Sequence, residues 1–219
     1  MSKKTSKKPK IFVHKTAIIE DDVKIGEGTK IWHFSQIRKG SVLGKNCIIG
    51  KSVFIDFDSV IGDNVKIQNH AILYHKAILE NGVFIGPNVT FTNDKTPRAV
   101  NPDGSLKKAD DWEVSVIKIG EGASIGGHSV ILPGVNIGKY VLAGAGSVIT
   151  RDVPDYALVY GNPARIKDFV CRCGKRLIKI EAKGNIALAK CSCGIEIKIP
   201  KEIYQQKEAN KITRRIWIR

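Results

Sequence analysis

The 219-residue sequence lacks any apolar run long enough for a signal peptide or a membrane span. Aromatic residues make up only 7%, and none stands among the lysines of residues 1–10, so no stacking platform for single-stranded nucleic acid is visible there. These absences indicate a cytoplasmic protein with no clear nucleic-acid or membrane partner. In that compartment we expect the cysteines to be reduced thiols or metal ligands.

Acidic residues are scarce relative to basic ones, at 21 against 36, which gives a formal net charge of +15. The excess lies at the two ends of the chain: residues 1–10 contain five lysines and no acid, and residues 166–219 contain 14 basic and 5 acidic residues. Such runs attract polyanions, but more often they are solvated arms. We interpret residues 1–10 as a disordered basic leader and residues 201–219 as a basic tail.

What the chain does contain is an apolar residue at every sixth position from Val13 to Phe91, fourteen times without a polar interruption. The same phase returns at Ile119 and ends at Ile149. A period of six fits neither an α-helix nor a coiled-coil heptad, but it fits a short strand and a turn repeated around a prism. Three repeats would close one circuit of about 18 residues. The period therefore predicts an all-β protein built on a parallel β-helix over residues 11–168.

Glycine often follows the apolar residue, and we expect it to supply the conformational freedom needed at the corners of the coil. Small residues such as Ser35, Ser41 and Cys47 should fill the space beside the apolar ladder, with Cys47 acting as a small buried hydrophobe. Between Phe91 and Ile119 the phase breaks, because their separation along the chain is not a multiple of six. This break predicts one long inserted loop at residues 92–118, and such loops are usually functional.

Several motifs accompany the repeats: Lys30-Ile31-Trp32-His33-Phe34-Ser35, Val65-Lys66-Ile67-Gln68-Asn69, Gly86-Pro87, Phe91-Thr92-Asn93 with Pro97-Arg98, Gly144-Ala145-Gly146-Ser147-Val148-Ile149, Asp152-Val153-Pro154 and Gly161-Asn162-Pro163-Ala164-Arg165. Over about residues 11–168 they resemble the hexapeptide-repeat acyltransferases. The first four resemble one branch, the N-acetyltransferases of nucleotide-linked 3-amino sugars, notably UDP-2-acetamido-3-amino-2,3-dideoxyglucuronate. The resemblance implies a left-handed coil, acetyl-CoA as donor, a role in surface-glycan synthesis, and a homotrimer with active sites between subunits.

The resemblance also implies which residues form the site. Asn69 and Asn93 would be the catalytic polar groups that position the amino sugar. The other substrate contacts would be His33, Phe34, Gln68 and Arg98. The CoA contacts would be Gly126, Gly144, Ala145, Asn162 and Arg165. Backbone amides at coil corners suit pantetheine, and a guanidinium suits a phosphate of CoA.

The inserted loop contains no histidine, and the next one along the chain is His128. O-acetyltransferases of this superfamily place a histidine just before or within that loop to deprotonate a hydroxyl. A neutral amine is already a good nucleophile and can lose its proton after the bond has formed. The absence therefore favours transfer to nitrogen.

Other interpretations stay open. Zinc enzymes of the γ-carbonic-anhydrase type share this kind of β-helix and bind the metal through histidines, and the spacing of His70 and His75 invites that comparison. A binding scaffold without catalysis is a third possibility. Asn69 could be an ordinary corner residue in an amide ladder, and Arg165 could only cap the last coil.

Two near-identical Cys-x-Cys-Gly motifs lie near the C-terminus, within residues 169–200. They resemble the knuckles of a zinc ribbon, with Cys171, Cys173, Cys191 and Cys193 as ligands. The usual knuckle has two residues between its cysteines and here there is one, so free thiols or a disulfide remain alternatives. Any metal would be structural, because four cysteines leave no open position. We expect this small module to need more than apolar burial to fold.

Overall fold

A computed structural model describes residues 10–178 and 180–207 and shows a parallel β-helix followed by a small antiparallel module. The predicted basic leader, apart from Lys10, and the tail beyond residue 207 lie outside the described residues. No helix in the described ranges is long and apolar enough to cross a membrane.

Each face of the β-helix is a sheet made of every third strand. The first face contains β1 (Phe12–Val13), β4 (Lys30–Ile31), β7 (Ile48–Ile49), β10 (Lys66–Ile67), β13 (Phe84–Ile85), β16 (Ser124–Ile125), β19 (Leu142–Ala143), β21 (Ala157–Tyr160) and β22 (Arg165–Phe169). The second contains β2 (Ile18–Ile19), β5 (Gln36–Ile37), β8 (Phe54–Ile55), β11 (Ile72–Leu73), β14 (Thr90–Phe91), β17 (Val130–Ile131) and β20 (Val148–Ile149). The third contains β3 (Lys24–Ile25), β6 (Val42–Leu43), β9 (Val60–Ile61), β12 (Ile78–Leu79), β15 (Lys118–Ile119) and β18 (Asn136–Ile137).

Successive coils pair in register, so that Ile31 lies on Ile49 and Ile49 on Ile67. All three side chains are fully buried, and the ladder is buried from Ile31 down to Ile149, whereas Val13, Ile19 and Ile25 of the first coil are partly exposed. The small residues beside the ladder are buried too, and their hydroxyls are satisfied: Ser35 Oγ donates to the Gly50 carbonyl at 2.7 Å. The predicted parallel β-helix and its core are confirmed.

The glycines that directly follow ladder residues do not have the expected role of supplying conformational freedom. Positive φ angles occur two residues further on, at Phe34 (58°) and His70 (61°) for example, and not at the glycine that follows the ladder residue. A Cβ on Gly62 would lie 2.6 Å from Asn81 Oδ1 and 2.8 Å from the Asn81 nitrogen. These glycines are therefore required by the close approach of successive coils.

The predicted inserted loop is present between β14 and β15. Elsewhere each ladder residue pairs with the one a full circuit further on, as Ile61 does with Leu79, but Leu79 pairs with Ile119. The insertion therefore more than doubles the length of this one circuit. It contains a single 3₁₀ turn at Ala109–Asp111 and an isolated bridge between Val100 and Leu106.

The end of the β-helix is covered by the hairpin of β21 and β22, which reverses direction at the cis Asn162–Pro163 peptide. The small module that follows is a three-stranded antiparallel sheet of β23 (Ile180–Lys183), β24 (Ile186–Lys190) and β25 (Glu196–Pro200), and residues 201–207 are helical. The structure thus confirms the predicted small ribbon-like module.

Asp168 of β22 connects these parts. Its carboxylate is 3% exposed and accepts hydrogen bonds from Lys207 Nζ at 2.6 Å and from Arg176 Nε. Burial alone would raise the pKa of Asp168, but the bonds from Lys207 and Arg176 outweigh burial and hold that pKa below its ordinary value. The terminal helix and the module are therefore both attached to β22.

Candidate active site

Most of the predicted site residues lie along one edge of the β-helix, where each coil leaves the first face. We call this edge the first corner; it comprises residues 32–34, 50–52, 68–70, 86–88, 126–128 and 144–146. Because the coils stack about 4.8 Å apart, residues in equivalent places form columns along the edge. The predicted substrate residues His33, Phe34 and Gln68, with Asn69, occupy the upper coils of this edge, and the predicted CoA residues Gly126, Gly144 and Ala145 occupy the lower ones.

The upper part of the first corner contains a cavity of about 300 Å³ lined by Trp32, His33, Ile48, Gly50, Lys51, Gln68 and Asn69. The structure thus brings together three of the predicted residues: His33, Gln68 and Asn69. It adds Lys51 to the lining, a residue that was not among the predicted ones. The signal was available, because Lys51 is one circuit of the coil away from both His33 and Asn69.

Aromatic rings surround this cavity. The rings of His14 and His33 stack with centroids 3.5 Å apart, and Phe12 lies 5.3 Å from Trp32. Phe34, predicted as a substrate contact, is 61% exposed. Partial desolvation, followed by the neighbouring His33 and Lys15, lowers the pKa of His14, so its ring favours the neutral form. Exposed flat rings of this kind can stack on a nucleotide base; the sequence analysis missed Phe12 and His14.

Asn69 has a structural contact in addition to its place in the cavity. Its Oδ1 accepts a hydrogen bond from the Lys51 backbone N–H at 2.9 Å. Asn81 does the same for the Asp63 N–H, at 2.7 Å, on another corner. The oxygen of Asn69 therefore has the structural role of an ordinary corner residue, although its partner is a backbone amide of the neighbouring coil and not a side-chain amide. Its Nδ2 group is the part that can donate to a substrate.

The lower part of the first corner offers backbone donors. The N–H groups of Gly126 and Gly144 bond to carbonyls of the next coil, each at 2.8 Å. Within residues 10–178 and 180–207, the N–H groups of Gly127 and Ala145 have no hydrogen-bond acceptor. The reason is local: the side chain one coil beyond Gly127 is that of Ala145, which has no oxygen to play the part of Asn69. Two amide donors therefore point out from the corner.

His128 lies next to Gly127 on the same corner. Its Nε2 is 3.2 Å from Nδ2 of Asn88, one coil above, and both residues are exposed. In the sequence, His128 is notable only as the first histidine after the inserted loop. The structure places this imidazole on the first corner, in the same coil as Gly127, where it is a candidate base.

The remaining predicted residues are elsewhere. Asn93 follows β14 of the second face, and so lies at a different corner from Asn69, whereas Arg98 lies further along the inserted loop. Counting repeats of six along the chain already places Asn93 one circuit and one further face beyond Asn69. Asn69 and Asn93 therefore do not come together within one chain.

Asn162 and Arg165 lie at the covered end of the β-helix. Asn162 precedes the cis proline, and Arg165 lines a cavity of about 480 Å³ together with Arg151 and Gln206. Arg165 Nη1 also donates to the Ala164 carbonyl at 2.8 Å. Two guanidinium groups beside one cavity suit an anionic ligand.

The two histidines of the metalloenzyme alternative also separate. His70 follows β10 on the first face, whereas His75 follows β11 on the second and packs edge-on against Phe57 at 4.0 Å. Burial, more than the neighbouring charges, lowers the pKa of His75. Among the described residues, the only cluster that could hold a metal ion is that of the four cysteines.

Comparison with known proteins identifies relatives of this chain. The family model "Bacterial transferase hexapeptide (six repeats)" matches residues 12–56 and 58–93. The dTDP-3-amino-3,6-dideoxy-alpha-D-galactopyranose 3-N-acetyltransferase of Aneurinibacillus thermoaerophilus is 43% identical over 195 residues, which cover 89% of this chain and 94% of the relative. The bifunctional protein GlmU of Thermotoga maritima is 35% identical over 68% of this chain and 28% of its own length. Among solved structures, PerB from Caulobacter crescentus, in complex with CoA and GDP-perosamine, has 24% identity and a TM-score of 0.47 over 73% of this chain and 58% of its own.

Proposed function

This chain belongs to the hexapeptide-repeat acetyltransferases, and we propose that it transfers the acetyl group of acetyl-CoA to the 3-amino group of a nucleotide-linked sugar. The observation that carries the proposal is the layout of the first corner, where a polar cavity and two free amide donors lie on one edge. The relative from Aneurinibacillus thermoaerophilus, which matches nearly full length, is a 3-N-acetyltransferase by name.

The reaction needs a positioned nucleophile and donors for the charge that develops on the thioester oxygen. The amine nitrogen attacks the carbonyl carbon, the C–N bond forms, the C–S bond breaks, and the sulfur of CoA leaves with the proton that the amine loses. In our proposal Asn69 Nδ2 and Gln68 orient the sugar. The N–H groups of Gly127 and Ala145 donate to the carbonyl oxygen or to pantetheine.

In this proposal a second copy of the chain supplies Asn93 and Arg98 to the site. Asn93 lies at the second corner of the β-helix, away from the cavity, and Arg98 lies in the inserted loop that leaves this corner. A neighbouring subunit whose second corner faces the first corner of this one would supply both side chains to the cavity. This separation supports the homotrimer that the family resemblance implies, since closed rings of identical subunits use such head-to-tail contacts.

Two substrates follow from different observations. The near full-length relative favours a dTDP-linked 3-amino-3,6-dideoxyhexose. The motifs around His33 and Asn69 favour UDP-2-acetamido-3-amino-2,3-dideoxyglucuronate for a surface glycan, and Lys51 in the cavity could pair with its C6 carboxylate.

The proposal is tested by thiol release from acetyl-CoA with dTDP- and UDP-linked 3-amino sugars, with the 4-amino isomers as matched controls. We expect release with at least one 3-amino sugar and none with its 4-amino isomer. Release with the uronate alone, reduced in a Lys51→Met variant, would select the second substrate. Release with 4-amino sugars only would refute the proposal.

A further inference from the structure

The four cysteine sulfurs of the C-terminal module lie close together. Sγ of Cys171 is 3.6 Å from Sγ of Cys193, and Sγ of Cys173 is 3.7 Å from Sγ of Cys191. All four sulfurs lie within 4.8 Å of one another. A disulfide requires about 2.05 Å, so the sulfurs are not arranged as two bonded pairs.

The two short sulfur–sulfur separations match the edge of a tetrahedral metal site. Zinc binds thiolate sulfur at about 2.3 Å, and the edge of a tetrahedron with that radius is about 3.8 Å. The two short separations in this module, 3.6 and 3.7 Å, are close to that edge. The extra turn residue of a usual knuckle is therefore not needed to bring the sulfurs within reach of one ion.

The backbone holds the sulfurs in place through two matching turns. In the first, the Cys171 N–H bonds to the Lys175 carbonyl at 2.9 Å and the Gly174 N–H to the Cys171 carbonyl at 2.8 Å. In the second, Cys191 N–H bonds to the Ile195 carbonyl and Gly194 N–H to the Cys191 carbonyl, at 2.8 and 2.9 Å. Gly174 and Gly194 have φ angles of +82° and +89°, which other residues rarely adopt.

From this geometry we propose that Cys171, Cys173, Cys191 and Cys193 bind one Zn²⁺ ion per chain, in a closed structural site separate from the acetyl-transfer site. The soft thiolate donors favour zinc over harder divalent ions, and the two short sulfur separations fit the edge of a tetrahedral zinc site. Four thiolates around one Zn²⁺ leave two net negative charges. The basic side chains of Arg172, Lys175 and Arg176 flank the first knuckle and offset that charge.

The ion would stabilise the end of the molecule as well as the module. The module's own apolar core is small, comprising mainly Leu177, Ala187, Ala189, Ile197 and Ile199. Units of this size usually need a metal, a disulfide or a partner to fold. Arg176, which belongs to the module, bonds to Asp168, and Asp168 also binds Lys207 of the terminal helix. Loss of the ion should therefore loosen the helix formed by residues 201–207.

The test uses the full-length chain, free of any affinity tag, purified under reducing conditions and dialysed against metal-free buffer. We expect about one zinc per chain by elemental analysis, and cobalt substitution should give the visible absorption of a tetrahedral thiolate complex. The Cys173→Ser and Cys193→Ser variants should lose both signals. The melting temperatures of both variants should also be lower, as a structural role of the ion requires.

Cys47 provides the matched control. Its sulfur is buried in the β-helix and donates to the Gly62 carbonyl at 3.1 Å, a place that serine hydroxyls occupy in other coils. The Cys47→Ser variant should keep its zinc in full. Zinc content in the wild type no higher than in Cys173→Ser, or a wild-type mass that shows two disulfides after reducing purification, would overturn the proposal. The acetyl-transfer assay is independent of this readout, so the two proposals can fail separately.

Discussion

The side chain of Asn69 has two ends with different tasks. Its oxygen secures the Lys51 amide of the neighbouring coil, as Asn81 and Asp63 do for their own neighbours. Its Nδ2 group is the part assigned to the substrate. A variant that separates these tasks is more informative than truncation, because truncation would remove both.

We predict that Asn69→Asp folds normally but loses activity. The aspartate keeps the acceptor for the Lys51 amide, as Asp63 does for Lys45, but removes the donor to the sugar. A hydrogen bond that matters in the transition state is worth about 1.5–3 kcal/mol, so kcat/KM should fall roughly 10- to 100-fold. Asn81→Asp, the same change on another corner, should leave kcat/KM unchanged. Equal rates for both variants and wild type would remove Asn69 from the site.

His128 tests whether the amine needs a base. The variant His128→Asn suits the local backbone, since φ at this position is +58° and asparagine tolerates that conformation. If the amine attacks unaided, as we expect, kcat falls less than about tenfold. A loss of about 100-fold or more, removed at high pH where the substrate amine is fully neutral, would show that His128 is a general base.

Among the elements, the coil corners depend on glycine for space. A Cβ on Gly62 would come within 2.6 Å of Asn81 Oδ1. We predict that Gly62→Ala lowers the free energy of unfolding by about 1–3 kcal/mol, the usual cost of overpacking. Thermal or denaturant unfolding measures it, with the exposed corner change Lys45→Ala as the control. An unchanged stability for Gly62→Ala would show that the coils can separate freely at this corner.

The attachment of the terminal helix to β22 depends on the charge of Asp168. Because its folded-state pKa is held below the ordinary value, its stabilising contribution is present above the unfolded-state pKa of about 3.9 and is lost as pH falls further. Asp168→Asn leaves Lys207 buried without its partner and should cost about 3–5 kcal/mol at neutral pH. The difference in melting temperature between wild type and variant should shrink below about pH 4. A difference that does not change with pH would contradict this account.

At this scale the sequence was informative where spacing alone decides the outcome. The ladder at every sixth residue and its break between Phe91 and Ile119 determined the coils and the inserted loop, because a prism repeats regularly. The expectation that these glycines supply conformational freedom was wrong. They are needed for the close approach of two coils, as of Gly62 to Asn81, and this approach is visible only once the coils stack. The same stacking explains why the free amides of Gly127 and Ala145 could not be foreseen. Lys51 and the separation of Asn93 from Asn69 were predictable by counting circuits along the chain.

For the whole molecule, the division of the site between two corners predicts complementation between subunits. Asn69→Asp damages the first corner and Arg98→Ala the second, so each variant alone should have low activity. Co-expressed in equal amounts, the two chains should regain about a quarter of wild-type activity per site, because random mixing pairs two intact corners at that frequency. Activity no greater than the average of the separate variants would show that one chain forms its own site.

The proposed reaction is acetyl transfer to the 3-amino nitrogen of a nucleotide-linked sugar. The most direct measurement is NMR of the product formed from acetyl-CoA and the sugar that gives thiol release. We predict an amide at the nitrogen on C3, with every hydroxyl unmodified. An acetyl ester on a hydroxyl, or an amide at C4, would contradict the account.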